Sequence, residues 1–251
     1  MDSLIVDQTH FDRFVNILPE LLRDEVYFLS LSARNKYLTD DERTHFDLGR
    51  TEMFSRQIAF DKDGIKLAMD RMMADYEVRR TRNGSRIPER CLVVYANVHP
   101  SSTVKAYRAF SVQMDRHYEE AFMSVLNGSH AQDVWIPFIR MRTNLMNYIQ
   151  KMSSSKVMVD IDIDGVDEAE SIVMATEISQ FLTDHGVAHY KIKSQGGFHV
   201  LVETEHLNKQ VPLHKIISNL DSQTAGEVKF NSNAMVPMPG TLQAGKLVTI
   251  S

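Results

Sequence analysis

The ten residues Lys156–Gly165, KVMVDIDIDG, constrain this chain more than any other stretch. An apolar run leads into Asp160, Asp162 and Asp164, spaced two apart. In a β-strand alternate side chains point the same way, so the three carboxylates share one face. Like charges that close repel each other and resist losing water. The arrangement makes physical sense where a divalent cation sits among them. The spacing also matches the opening of an EF-hand calcium loop, but the twelfth position is Ser171 rather than Glu, and a strand, not a helix, precedes it. The plain structural alternative is an acidic strand end open to water.

Composition enters where it narrows the partners. At 251 residues the chain can form one large domain or two small units sharing a core. A net charge of −5 speaks against a surface coated for nucleic acid, though not against a local basic groove. One such cluster stands out: Arg79, Arg80, Arg82, Arg86 and Arg90, around Asn83-Gly84. It is either a nucleic-acid contact or a solvated loop. No apolar run approaches the roughly 20 residues of a membrane span, and the N-terminus lacks a signal pattern. Cys91 is the only cysteine, which leaves no internal disulfide or thiolate zinc cluster. A cytoplasmic protein without membrane partners is the expectation, and a chain of this size suits a phage or mobile element.

Periodicity divides the chain at Ser153-Ser154-Ser155. Before it, helical spacing covers residues 10–22, and Glu25–Ser32 reads as a strand. Residues 39–60 open with a helix start at Thr39–Glu42 and carry further apolar positions at Phe46, Leu48, Met53 and Phe54. Residues 63–78 form a helix whose methionine stripe is core filler. Cys91–Val98 is a buried strand, followed by helices over about 103–126, capped by serine, and roughly 131–150. After the break, strands at 157–163, 187–193, 198–204, 227–230 and 246–250 alternate with helices at 167–185 and 209–219. That order predicts a small mixed sheet with helices packed on one side.

Two further stretches carry chemistry. In Lys191–Val202, KIKSQGGFHVLV, two β-runs flank a turn. Gly196 and Gly197 let backbone N–H groups approach a phosphate, Ser194 offers a hydroxyl, and His199 begins the second strand. Taken alone, it is an ordinary hairpin. In Asn233–Lys246, NAMVPMPGTLQAGK, the prolines and glycines force a stiff path on which Thr241, Gln243 and Lys246 are the polar groups. Its plain counterpart is a connecting loop. Glu227 lies just upstream.

The order hhhDhD, then Ser-x-x-Gly-x-His, then Pro-Gly-Thr-Leu before a final strand resembles the archaeo-eukaryotic primase superfamily over about residues 91–251. Its members include replicative primase small subunits, primase-polymerases and the polymerase domain of bacterial end-joining ligases. The resemblance implies an α/β (α+β) two-part core: an N-terminal α/β unit with helical segments (1–152) and an RRM-like palm module (153–251), together one catalytic core. It implies template-dependent nucleotidyl transfer, making or extending primers on single-stranded DNA with nucleoside triphosphates and two Mg²⁺ or Mn²⁺ ions. Asp160 and Asp162 then match the metal-binding aspartates. Glu227 is the nearest third ligand, Asp221 a weaker one, and Asp164 a supporting carboxylate. Ser194, Gly196, Gly197, His199, Thr241 and Lys246 would hold the triphosphate.

The chain departs from that pattern in three places: a Ser–His turn one residue shorter, Val236-Pro237-Met238 where basic residues stand, and Gln243 in place of a histidine. Triphosphate contacts then fall to Lys191, Lys193, Lys246 or the arginine loop. The chain ends after its last strand, so a helicase or accessory primase subunit would be a partner. The departures motivate an alternative, a primase-like nucleic-acid-binding or replisome-adaptor protein with weakened catalysis. A metal-dependent nuclease is a third option.

Overall fold

The apolar alternation of the strands is used twice, to build two antiparallel sheets that share one core. The computed structural model describes residues 3–46, 48–78, 84–127, 136–154, 157–206, 226–231 and 235–251. Its first part runs α1 (Gln8–Ile17), β1 (Glu25–Arg34), a 3-10 turn at Asn35–Tyr37, α2 (Asp40–Phe46), β2 (Thr51–Ala59), α3 (Asp63–Val78), β3 (Leu92–Asn97), β4 (Ser101–Ser102), α4 (Thr103–Leu126), α5 (Ile136–Ile139) and α6 (Met141–Lys151). The second part follows with β5 (Met158–Asp164), α7 (Glu168–Asp184), β6 (His189–Lys193), β7 (Phe198–Glu203), β8 (Glu227–Asn231), β9 (Met235–Pro237), β10 (Leu242–Gln243), β11 (Lys246–Leu247) and β12 (Thr249–Ile250). The class is α+β. Among the described residues no helix is long and apolar enough to cross a membrane.

In the first sheet the order is β2-β1-β3-β9, with β4 also pairing β1. The central strand β1 is buried along nearly its whole length because both faces are covered. Helix α3 lays Ile65, Met69, Met72 and Tyr76 on one face. On the other, Ala106 of α4 and Ile149 of α6 meet Val26 and Phe28. The methionine stripe is core filler, as its spacing predicts. Helix α4 begins where the serine pair suggests: Ser102 Oγ accepts from Lys105 N at 3.2 Å.

The second sheet has the order β12-β6-β7-β5-β8 and is antiparallel throughout, not mixed. Strand β5 shows why its sequence matters. Ile161 and Ile163 point to α7, where Met174, Ile178 and Leu182 bury them completely. Each such side chain contributes about 1.5–3 kcal/mol by leaving water. The alternate positions face the first part of the chain, where Met158 joins a core with Leu201, Ile192, Phe14 and Leu29. Asp160, Asp162 and Asp164 continue that same face beyond the apolar core.

Several expectations are corrected. Residues 51–59 are not a continuation of a helix begun at 39 but the strand β2, whose pairing with β1 supplies what local spacing hides. The turn-rich stretch after residue 233 contains a strand, β9, which leaves the second part and pairs with β3. The final strand 246–250 is two short ones, β11 pairing with β10 and β12 with β6. The helix over 131–150 is two, α5 and α6, from 136 onward, and the helix at 209–219 lies outside the described residues. The serine break is stitched to the first sheet: Ser153 bridges to Ser101, and Ser154 N donates to Pro100 O at 2.9 Å.

Replacing Ile161 by alanine removes a fully buried side chain beneath α7 and should cost about 2–5 kcal/mol. Denaturant unfolding of the variant checks it; a loss under about 1 kcal/mol contradicts the packing described.

Candidate functional site

The polar face of β5 brings the three aspartates of the sequence motif to one strand end beside His199. Asp160 is completely buried, and both its oxygens lie near His199 Nδ1, at 3.2 and 3.3 Å. Asp162 Oδ1 is 3.5 Å from the same nitrogen, with 31% of its side chain exposed. Strand pairing causes this convergence: Asp162 stands directly opposite His199 across the β5–β7 ladder. Burial opposes protonation of His199, but its hydrogen bond to Asp160 and the charges of Asp160, Asp162 and Asp164 outweigh that and raise its pKa. Loss of water pushes the Asp162 carboxyl up, with partial relief from His199.

The other carboxylates step outward. Asp164 is exposed at the end of β5 and lies opposite Glu227 on β8. Lys229, not an acid, stands opposite Asp162, and its ammonium pairs with Glu227. Glu227 is therefore brought beside Asp164, four residues along the strand pair from Asp160, roughly 13 Å. Asp221 lies outside the described residues.

The Ser194–Gly197 turn closes over the strand end. Gly197 has φ +154, and a Cβ there would sit 2.0 Å from Ile163 O, so the turn packs against β5 only with glycine. Ser194 Oγ donates to Gly197 O at 3.2 Å and accepts from Gly196 N. A pocket of about 450 Å³ opens beside it, lined by Ser194, Gly196, Gly197, Lys193, Lys246 and the loop Gly165–Glu168. Lys193 is held by Glu168 at 2.6 Å. Four of the six residues assigned to the triphosphate thus share one pocket. The other two do not line it: His199 is engaged with Asp160, and Thr241, buried, donates to Met238 O at 2.7 Å.

The Pro-Gly stretch acts as a clamp. Gly240 O accepts from Val6 N and Asp7 N, and Gly240 at φ +81 leaves no room for a Cβ against Asp7 O. Gln243, read from sequence as a lost histidine, is buried. Its Oε1 accepts from Gln195 N at 3.1 Å, and its Nε2 donates to Tyr37 Oη at 2.8 Å. It ties the serine turn to the first part of the chain. Burial pushes the Tyr37 phenol up to about 12.

Sequence reasoning missed the residues that face the carboxylates from the first part. Lys36 and Asp164 flank Gly196: a Cβ there would meet Lys36 Nζ at 3.7 Å and Asp164 Oδ1 at 3.6 Å. Burial and the nearby Arg34 lower the pKa of Lys36, against the opposing pull of Asp164 and Asp162. Arg34 Nη1 donates to Tyr95 Oη at 2.5 Å, while its buried Nε has no acceptor among the described residues. The one available signal was a basic pair, Arg34 and Lys36, at the end of a strand and the turn that follows it.

Of the arginine cluster, Arg79, Arg80 and Arg82 lie outside the described residues. Arg86 stacks on Tyr76 at 4.8 Å and pairs with Glu89 at 3.6 Å. Arg90 pairs with Glu42.

Asp160 and Asp162 present hard oxygen donors, and Asp162 carries a poorly compensated charge; that donor chemistry fits Mg²⁺ or Mn²⁺. Among the described residues no three carboxylate, imidazole or thiol groups are arranged to hold one ion. His199 Nδ1 itself faces both aspartates.

Two outcomes follow from this geometry. Because the His199 pKa is raised, its pairing with Asp160 stabilises the fold in full below about pH 6.5, the ordinary imidazole value, and fades as pH rises through the raised one. The melting-temperature gap between the native chain and Asp160→Asn, in metal-free buffer, should therefore narrow from pH 6 to pH 9; a constant gap contradicts the pairing. Gly197→Ala should cost at least about 2–3 kcal/mol by chemical denaturation, from strained backbone and the clash with Ile163.

Compared with family models, curated proteins and solved structures, the chain matches none.

Proposed function

We propose that the protein is a template-dependent nucleotidyltransferase resembling the archaeo-eukaryotic primases, acting on single-stranded DNA with nucleoside triphosphates. The observation that carries this is the convergence of two aspartates, one buried and one half-buried, on His199 at a strand end capped by a glycine turn that also lines a pocket with two lysines. The strand order β6-β7-β5-β8, with α7 between β5 and β6, supports an RRM-like palm for the second part.

Bound Mg²⁺ or Mn²⁺, held by Asp160 and Asp162, would supply activation of a primer 3′-hydroxyl and neutralisation of the leaving pyrophosphate. The chain's own contribution is positioning. Lys193 and Lys246 offer ammonium donors to a triphosphate in the pocket beside the turn, and Ser194 shapes the turn that lines it. Gly196 and Gly197 keep the turn free of side chains where it lines the pocket. His199 holds Asp160 in place. Lys36 supplies a cation from the opposite side of the turn. The oxygen of the 3′-hydroxyl would attack the α-phosphorus, and the bond to pyrophosphate would break.

A second reading, a nucleic-acid-binding or replisome-adaptor protein on the same framework, is favoured by one observation. Val236, Pro237 and Met238 are buried in and after β9, so that stretch offers no cations to a triphosphate.

Extension of a 5′-labelled primer on single-stranded template, with nucleoside triphosphates and Mn²⁺, separates the two. The native chain should extend it, and Asp160→Asn with Asp162→Asn should lower the rate more than about 100-fold while the fold survives. Full activity in the double variant refutes the site. Binding of single strands without extension favours the adaptor, and shortening of the primer without nucleotides favours a nuclease.

A further inference from the structure

A second cavity, of about 530 Å³, shares no lining residue with the pocket at the serine turn. It lies at the outer strand of the first sheet, β2. Helix α3 packs on one face of that sheet and α6 on the other, so the cavity is a notch at the sheet edge with a wall from each layer. Residue Phe54 is an extra residue in β2, where the register passes from Leu31–Ser55 to Ser32–Met53, and this bulge lines the notch.

The groups lining the notch are of three kinds. Arg56 is partly buried, its Nη1 donates to Thr143 O at 3.2 Å and its Nε lies against the Met53 sulfur, and its further N–H donors are uncommitted among the described residues. Arg142, on α6, is exposed and makes no hydrogen bond or ion pair among the described residues. Asp75, on α3, accepts from Ser55 Oγ at 2.5 Å and Gln57 Nε2 at 3.2 Å, both on Oδ2, and among the described residues no donor meets Oδ1. Met53 and Met146 supply polarisable apolar surface between them.

We infer that this notch binds a nucleotide, independently of any chemistry on β5. The phosphate meets the guanidinium groups of Arg142 and Arg56, which suit it by planar, charged donors. The base lies against the side chain of Met146, whose sulfur favours an aromatic ring, and an amino group of the base donates to Asp75 Oδ1. The volume falls within the range of small-molecule pockets.

Adenosine 5′-monophosphate is the probe, with ribose 5-phosphate as the control that lacks a base. Titration is followed by the ¹³C-methyl signals of Met53 and Met146. Adenosine monophosphate should shift both methyls, and ribose 5-phosphate should bind at least about tenfold more weakly. Arg142→Ala, an exposed change that spares the fold, should weaken adenosine monophosphate about tenfold or more. Asp162→Asn should leave it unchanged. The inference is overturned by methyls that stay still, by equal binding of ribose 5-phosphate, by an Arg142→Ala variant that binds as the native chain does, or by loss of binding in Asp162→Asn.

Discussion

A fully buried carboxylate is the interaction on which the second part of this molecule depends. Taking Asp160 out of water without a partner would cost several kcal/mol, and His199 on the neighbouring strand supplies that partner through Nδ1. The pairing requires β5 and β7 in one register only, because a slip by one residue would turn the aspartates toward α7 and the isoleucines toward the cleft. Apolar packing of Ile161 and Ile163 and the polar pairing of Asp160 and His199 therefore select the same alignment from opposite faces of one strand.

That alignment places the other features of the site. With Asp162 opposite His199, the strand end reaches Asp164, and Gly197 can lie against Ile163 O. The turn so held is tied by Gln243 to Tyr37 of the first part, and the Pro239-Gly240 step is tied to the residues before α1. Lys36 and Tyr95 thereby come within electrostatic reach of Asp162, and Lys36 of Asp164 as well. The charge arrangement is graded: a neutralised pair at Asp160, a strained carboxyl at Asp162, and exposed acids at Asp164 and Glu227 balanced by Lys229.

What was legible in the sequence is what depends on near neighbours. The period-two alternation of β5, the serine cap of α4 and the methionine face of α3 need only a few residues of context, and all three are where their spacing puts them. Strand β2 was hidden because the bulge at Phe54 breaks its alternation, and β9 because a three-residue run containing proline becomes a strand only through β3. The roles of Lys36 and Gln243 were hidden for a different reason. Each is defined by a partner more than a hundred residues away, across the space between the sheets. Gln243 was legible as a departure from a pattern, but its replacement role as a clamp was not.

We propose that the Asp160–Asp162 face of β5 is the protein's cation-binding and reaction centre. Paramagnetic broadening by Mn²⁺ tests it directly, read on the imidazole signals of the histidines. His199 should broaden first, at substoichiometric Mn²⁺, and Asp162→Asn should remove the effect. Broadening confined to histidines distant from β5, with His199 unaffected, would contradict it.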